Sequence, residues 1–177
     1  LANLPINSWS ETSRSNLRVN GRRIETRIFE LAKFGRDENG RGYRVGYTTG
    51  DREGRTWFID LMKKAGLEVS IDEGGNIIGR RKGKKASLKP IAFGSHIDMV
   101  PDGGNYDGTL GSLSALEVIE ILNENKIVTE HPLEVIVFAN EEGGTIGSKA
   151  IVGQLTEAGL QQISQSGLVM ADGIKAI

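Results

Sequence analysis

Apolar residues recur every three or four positions in three stretches of the chain, which predicts three long helices. The first helix follows Asn20, a typical N-cap residue, and ends at Gly35. The second is predicted to be capped by Asp51 and to end at Gly66. The third is apolar on a broad face, which predicts an internal helix. Its apolar positions are Leu110, Leu113, Leu116, Ile119 and Leu122.

Shorter apolar runs between these helices predict β-strands. Residues 67–71 alternate as a half-buried strand does, and Gly74-Gly75 turns the chain into a second strand at residues 76–80. Residues 90–93 predict a short strand that is fully buried. Residues 132–139 predict a strand buried on both faces, which favours a parallel or mixed central position in a sheet.

The last third of the chain carries weaker signals. Residues 148–155 and 156–163 show helical patterns, and residues 168–170 indicate the start of another strand. Strands that alternate with helices in this way predict an α/β fold, in which a mixed central sheet carries helices on both faces.

Two polar stretches lack any hydrophobic period. Residues 1–16 are rich in Ser and Asn and are predicted to form a mobile N-terminal tail. Residues 36–50 contain four glycines and are predicted to form a long loop, of the kind that often lines a functional site. Tyr43 and Arg44 lie in this loop, and we expect both to be exposed at the surface rather than directed at a site.

Charge and cysteine content exclude several classes of protein. A net charge of −1 gives no electrostatic footprint for nucleic acid or an anionic membrane, and the basic residues 82–89 are interpreted as a solvated hairpin loop. The absence of cysteine excludes disulfides and thiolate metal sites. No apolar run approaches the roughly 20 residues of a membrane span. The chain starts at Leu1, so we expect that an upstream segment was removed, and the compartment stays open.

Candidate chemistry is concentrated in residues 94–108, between an apolar strand and an apolar helix. This stretch holds one of the chain's two histidines, three aspartates and four glycines. The pair Glu141-Glu142 follows the next buried strand. Ligands of open α/β sheets bind beyond the carboxyl ends of the strands, so we expect His96 and Glu141 to converge. Imidazole with carboxylates suits Zn²⁺ or a similar divalent ion in a hydrolytic site.

The spacing of these residues indicates separate roles. Asp98, two positions after His96, can hydrogen-bond the second ring nitrogen and so fix the tautomer of a ligand histidine. Asp107 has two carboxylate oxygens with which to bridge two cations. Of the adjacent Glu141 and Glu142, one would be a ligand and the other would take a proton from the attacking water.

Each feature also has a simpler structural explanation. A single histidine at a strand end is most often an ordinary hydrogen-bonded residue, an Asp-Gly pair a turn or helix cap, and an acidic pair solvated surface. His131 lies in a polar connection and is interpreted as structural. Gly143, Gly144 and Gly147 do not match the spacing of a dinucleotide loop. These residues alone therefore leave a metal site and ordinary turns as equal alternatives.

A longer match to a known family begins with Gly94-Ser95-His96-Ile97-Asp98. Together with residues 100–108, Leu116-Glu117-Val118 and Glu141-Glu142-Gly143, it resembles the M20 metallopeptidase superfamily, and most closely the amidase/hydantoinase branch. This branch includes N-carbamoyl-L-amino acid hydrolases, allantoate amidohydrolases and ureidoglycolate-type hydrolases. The resemblance implies that residues 17–177 are the N-terminal part of a zinc-exopeptidase-like catalytic domain. From the resemblance we also expect that the family's dimerisation domain, which closes over the substrate, is absent from this chain.

The resemblance also implies a role for each candidate residue. His96 would bind one metal ion, Glu142 would bind a second, and Asp107 would bridge both. Glu141 would be the general base, and Asp98 would orient His96. The implied cofactors are two divalent ions, zinc or alternatively manganese, cobalt or nickel. The implied partners are a small-molecule substrate and a second copy of the full-length protein, with no nucleic acid and no membrane.

The chain departs from the family pattern in two respects. The family usually carries Asp-Glu-Glu-Gly followed by an Arg-Phe pair, whereas this chain has Asn140 and no such pair. The family also supplies two histidines further along, and none follows His131 here. Each metal would keep two ligands, although tight binding normally needs three or four. We therefore expect an N-terminal fragment that is inactive in isolation, or a chain that works with a partner supplying the rest.

Three functional hypotheses follow. The leading one is a binuclear metal amidohydrolase that cleaves a C–N bond of an N-carbamoyl amino acid or ureido compound. An aminopeptidase or dipeptidase of the M20 type would share the same metal ligands. A non-catalytic remnant, which keeps the fold without the chemistry, is favoured by the missing histidines.

Overall fold

The computed structural model describes residues 17–177, and the tail predicted for residues 1–16 lies outside the described residues. The helices are α1 (Gly21–Leu31), α2 (Thr49–Lys64), α3 (Thr109–Glu124), α4 (Ile146–Ile151), α5 (Glu157–Leu160) and α6 (Met170–Lys175). The strands are β1 (Glu68–Ile71), β2 (Ile77–Arg81), β3 (Ile91–His96) and β4 (Leu133–Phe138). Across these residues, no helix is both long enough and apolar enough to cross a membrane.

The described strands form a four-stranded mixed sheet in the order β1-β2-β4-β3. Strand β4 pairs antiparallel with β2 and parallel with β3. Helix α3 connects the two parallel strands, so β3-α3-β4 is the crossover unit that parallel neighbours require. This arrangement confirms the predicted α/β fold with a mixed central sheet. It also brings the carboxyl ends of β3 and β4 to the same edge.

The main core lies between the sheet and helices α1, α2 and α3. Strand β4 buries every second side chain towards these helices, because successive residues of a strand point to opposite faces. The helices contribute the apolar stripes that their spacing predicts. At the centre they bury Leu31, Phe58, Met62, Leu116 and Ile119. A smaller cluster of Tyr47, Ile146 and Met170 packs at the N-terminal ends of α4 and α6.

The first helix is capped as predicted, and the second is not. The Asn20 side chain accepts a hydrogen bond from the Arg23 N–H at 3.1 Å. Helix α2 is capped by Thr48, and Asp51 lies in its first turn. Asp51 is buried, and its carboxylate accepts the Tyr47 N–H at 2.7 Å. The sequence did not separate these roles, because threonine and aspartate are both typical cap residues.

Three other predictions are wrong. Residues 90–93 do not form a fully buried strand, because β3 lies at an edge of the described sheet and Ile91 is 53% exposed. A short apolar run does not distinguish an edge strand from a central one. Residues 82–89 do not form a hairpin, since β4 lies between β2 and β3. Residues 168–170 lead into helix α6 rather than into a strand.

A buried ion pair joins α1 to α3. The Glu117 side chain has no exposed surface and accepts bonds from Arg23 Nε at 2.7 Å, from Arg23 Nη2 at 2.9 Å and from the Asn20 N–H at 2.7 Å. Burial alone would raise the pKa of Glu117, but the bonds from Arg23 and Asn20 outweigh it and hold the pKa below its usual value. Such a carboxylate stabilises the fold above its unfolded pKa and loses that contribution as the pH falls through its folded pKa.

Replacing Glu117 by Gln is therefore expected to lower the free energy of unfolding by about 2 kcal/mol at pH 7. The difference from the wild type should shrink as the pH falls below the ordinary glutamate pKa and through the lowered pKa of the folded carboxylate. Urea denaturation at several pH values measures both effects. Glu124→Gln is the control, because Glu124 contacts the same arginine but is half exposed, and its loss should cost less than about 1 kcal/mol. Equal losses for the two variants would contradict this interpretation.

Candidate metal centre

His96 is the last residue of β3, and it is held through both its ring and its main chain. Its Nδ1 lies 3.1 Å from the Asp98 main-chain oxygen and 3.5 Å from Asp98 Oδ1. The Ser112 hydroxyl, on α3, donates to the His96 main-chain oxygen at 3.0 Å. The predicted contact between Asp98 and the ring is present, with the main-chain oxygen as the nearer atom. It directs Nε2 towards the neighbouring carboxylates.

Nε2 of His96 faces carboxylates from two different loops. It lies 3.8 Å from Asp107 Oδ1 and 3.6 Å from Glu141 Oε2. Asp107 belongs to the histidine loop, residues 97–108, and Glu141 belongs to the acidic loop, residues 139–145. These loops meet where the parallel strands β3 and β4 end. The predicted convergence of His96 and Glu141 is confirmed.

The turn before α3 makes room for the imidazole ring. Gly108 is the N-cap of α3 and has a φ of +61°. A Cβ at this position would lie 2.5 Å from Nδ1 and Nε2 of His96, so only glycine fits. The Asp107 side chain is 84% exposed and is not the cap of the helix. Of the simpler explanations for Asp107, the helix cap therefore does not apply, whereas Asp107 and Gly108 do form a turn before α3.

Asp98 connects the histidine loop to the acidic loop. Its Oδ2 accepts the Glu142 N–H at 3.0 Å. Its Oδ1 is buried and has no hydrogen-bond partner among the described residues. A buried carboxylate oxygen without a partner is unfavourable unless a positive charge compensates it. This atom therefore fits a cationic neighbour, either a protonated His96 or a metal ion.

Burial and neighbouring charges shift the pKa of two groups at this edge, His96 and Glu142. Burial alone would lower the pKa of His96, but Asp98 and Glu141 outweigh it and raise the pKa to about 9. Partial burial raises the pKa of Glu142; three neighbouring carboxylates raise it further, while His96 lowers it. The carboxylates that raise the pKa of Glu142 create a negative potential that attracts a cation.

The residue types at this edge suit a divalent metal, and the unpaired oxygen of Asp98 is consistent with one. In the part of the chain that the structure describes, however, no three His, Cys, Asp or Glu side chains are grouped closely enough to hold an ion. The roles of His96, Asp107 and Glu142 as ligands, and of Glu141 as base, therefore stay predictions.

Three of the five non-glycine residues with positive φ in the described part of the chain lie in the two loops, and the other two are Tyr47 and Lys126. Asn140 and Thr145 in the acidic loop have φ values of +45° and +56°, and Asp102 in the histidine loop has a φ of +63°. Residues other than glycine seldom adopt positive φ, and such conformations cluster at functional sites, where surrounding contacts hold them in place. These strained positions support a functional role for both loops.

Arg44, Thr109 and Ser112 hold the histidine loop and His96 in place, which was not predicted from the sequence. Arg44, expected at the surface, is 1% exposed, so that prediction is wrong; Tyr43 is exposed as expected. The Arg44 guanidinium lies 3.5 Å from the Thr109 hydroxyl on α3, and Ser112 contacts His96 from the same helix. Serine and threonine in a helix have no residue-specific signature of such contacts, and an arginine in a glycine-rich loop is typical of solvated surface.

The chain is similar to known hydrolases. A model of Peptidase family M28 matches residues 76–170, more than half of the chain. An N-carbamoyl-L-amino acid amidohydrolase from Geobacillus stearothermophilus is 36% identical over 162 residues, which are 89% of this chain and 40% of the relative. A ureidoglycolate hydrolase from Oryza sativa subsp. japonica is 36% identical over 143 residues, which are 81% of this chain and 29% of the relative.

A solved structure has the same fold. The hydantoinase/carbamoylase family amidase from Burkholderia ambifaria superposes with a TM-score of 0.84 and 35% sequence identity, and the match covers 90% of this chain and 41% of that protein. The chain thus spans about two fifths of the length of this amidase and of the Geobacillus relative. These relatives confirm the amidase branch predicted from the sequence, although the family model that matches is M28. The chain belongs to Peptidase family M28 and is similar to the hydantoinase/carbamoylase amidases.

Proposed function

We propose that the chain is part of a metal-dependent amidohydrolase that cleaves a C–N bond of an N-carbamoyl amino acid or ureido compound. The observation that carries this proposal is the convergence of His96, Asp107 and Glu141 at the ends of two adjacent parallel strands. The similarity to an N-carbamoyl-L-amino acid amidohydrolase and a ureidoglycolate hydrolase supports the substrate class. Because the chain spans about two fifths of the first relative, the activity is proposed for the native protein that carries it.

Two divalent ions would bind between the histidine loop and the acidic loop. His96 would hold one ion, Glu142 would hold the other, and Asp107 would be shared between them. Such ions polarise a carbonyl group and lower the pKa of water. Zinc is the first candidate, and manganese, cobalt and nickel accept the same imidazole and carboxylate ligands.

Glu141 is assigned the role of general base. Its side chain is partly exposed, and its Oε2 lies 3.6 Å from His96 Nε2, so it can reach both solvent and the reacting groups. It takes a proton from water as the water oxygen attacks the carbonyl carbon, and it delivers that proton to the nitrogen as the C–N bond breaks. Asp98 and Ser112 act indirectly, because they hold the His96 ring and main chain in place.

Further ligands are needed to complete the two metal positions. His96 and Glu142, with Asp107 shared, give each ion two ligands, whereas tight binding normally uses three or four. We propose that the remaining ligands come from a longer native chain or from a partner subunit in a homodimer of the full-length protein. The greater length of the relatives supports the first source.

Hydrolysis assays on the native protein test the substrate class. At least one of the candidates N-carbamoyl-L-amino acids, allantoate and ureidoglycolate should be hydrolysed, and dipeptides are the competing class. A peptidase is the second candidate, because the matching family model is a peptidase family. Hydrolysis of dipeptides alone would favour that candidate. Metal-loaded native protein that hydrolyses neither class would favour the non-catalytic remnant.

A further inference from the structure

We infer that Arg44 is a positioning residue for the metal centre, because its guanidinium holds the main chain between His96 and Asp98 in the conformation that presents the His96 ring. This role rests on the proposed function, and it adds a residue that lies outside the proposed ligands. Arg44 acts through the histidine loop and does not itself contact metal or substrate.

The Arg44 side chain is buried against main-chain oxygens rather than against acids. Its Nε donates to the Ile97 oxygen at 2.6 Å, and its Nη1 donates to the Leu31 and Phe34 oxygens at 3.1 Å each. Its Nη2 lies 3.5 Å from the Thr109 hydroxyl. The guanidinium therefore links the C-terminal end of α1 to the histidine loop and to the start of α3.

One of these bonds, from Nε to the Ile97 oxygen, reaches the segment that carries the site. Ile97 lies between His96 and Asp98, so the bond to its oxygen fixes the orientation of the Ile97–Asp98 peptide. The main chain of Arg44 adds a second hydrogen bond to this segment, because its oxygen accepts the Met99 N–H at 3.0 Å. Arg44 thus holds the segment through both its side chain and its main chain. A shift of this segment would move the His96 ring away from the carboxylates that it faces.

Arg44 is a buried cation whose compensation comes from hydrogen bonds to carbonyl groups, and these depend on the shape of the guanidinium. No carboxylate forms an ion pair with Arg44 among the described residues, and a buried cation without such a partner is unfavourable. Burial lowers the pKa of Arg44 to about 10, partly opposed by Asp51, so the side chain remains charged at neutral pH. Its planar fork bonds three carbonyl groups at once, and a lysine ammonium cannot reproduce that arrangement.

Cobalt binding to the native protein tests this role through Arg44→Lys and Arg44→Met. The visible absorption of bound Co²⁺ reports ligand geometry without requiring turnover. We expect Co²⁺ affinity, measured by chelator competition, to fall about 10-fold in Arg44→Lys and about 100-fold in Arg44→Met, with an altered spectrum in both. We also expect kcat to fall while KM changes little, because Arg44 acts through the histidine loop and not on the substrate.

Arg55→Met is the matched control. Arg55 is also buried, at 4% exposed, but it donates to the Gly75 oxygen and not to the histidine loop. This variant should lower thermal stability while Co²⁺ affinity and spectrum stay at wild-type values. If Arg44→Met does not fold, Arg44→Lys carries the comparison, because it keeps the charge and most of the volume.

Two results separate this role from the proposed function. Arg44 variants that are destabilised like Arg55→Met, yet bind Co²⁺ with wild-type affinity and spectrum, would overturn the positioning role and leave the proposed function standing. Wild-type native protein that binds no Co²⁺ would overturn the proposed function and the positioning role with it.

Discussion

Glu141→Gln is expected to reduce turnover of the native protein by about 10²–10⁴-fold while its metal content stays intact. The amide does not accept a proton at neutral pH, so the substitution removes the proposed base. The acidic loop should keep its conformation, because the hydrogen bonds from the Gly144 and Thr145 N–H groups go to the main-chain oxygen of Glu141. Gln also has nearly the same size and shape as Glu.

The initial rate of hydrolysis of an N-carbamoyl-L-amino acid, with elemental analysis of the same sample, measures this prediction. Glu142→Gln is the matched control, since it makes the same change at the next residue and should lower the metal content. If Glu141→Gln loses metal and Glu142→Gln keeps it, the two roles are exchanged. If neither variant changes turnover or metal content, the acidic pair is not part of the site.

Gly108→Ala is expected to weaken metal binding and to lower activity by about 10²-fold or more, because it displaces the His96 ring. Gly108 has a φ of +61° at the start of α3, a conformation that residues with a Cβ seldom adopt. The added Cβ would lie 2.5 Å from both ring nitrogens. Either the ring or the start of the helix must move, and Asp107 moves with the helix. A displacement of about 1 Å at a catalytic group is enough for a loss of this size.

Gly104→Ala controls for the substitution itself. Gly104 lies in the same loop, and a Cβ there would meet no heavy atom within 4 Å. Its variant should retain wild-type values of kcat/KM and bound metal. Wild-type metal binding and activity in Gly108→Ala would contradict this prediction, because they would show that a Cβ at position 108 does not displace the His96 ring.

The place of the site could be predicted from the sequence because it follows from strand order. Hydrophobic spacing predicted a strand, a helix and a second strand, and parallel neighbours place their carboxyl ends at one edge. His96 and Glu141 are distant in the chain, yet His96 ends β3 and Glu141 lies in the loop that follows β4. Their proximity could therefore be predicted from the order of the strands and helices alone.

The contacts that hold the site could not be predicted, because they involve main-chain atoms. Arg44 donates to the oxygens of Leu31, Phe34 and Ile97, and a carbonyl group is present at every residue of any sequence. The edge position of β3 was also beyond the local pattern, since it depends on where β4 inserts. The remaining metal ligands could not be assigned to residues, because no histidine follows His131 in this sequence.

A single rate measurement on the native protein decides whether its hydrolysis depends on metal. Release of the free amino acid from an N-carbamoyl-L-amino acid is followed before chelation, after chelation, and after a divalent metal is added back. We expect the rate to be lost with the metal and to return with zinc, manganese, cobalt or nickel. An undiminished rate in protein that elemental analysis shows to be free of metal would contradict metal-dependent hydrolysis.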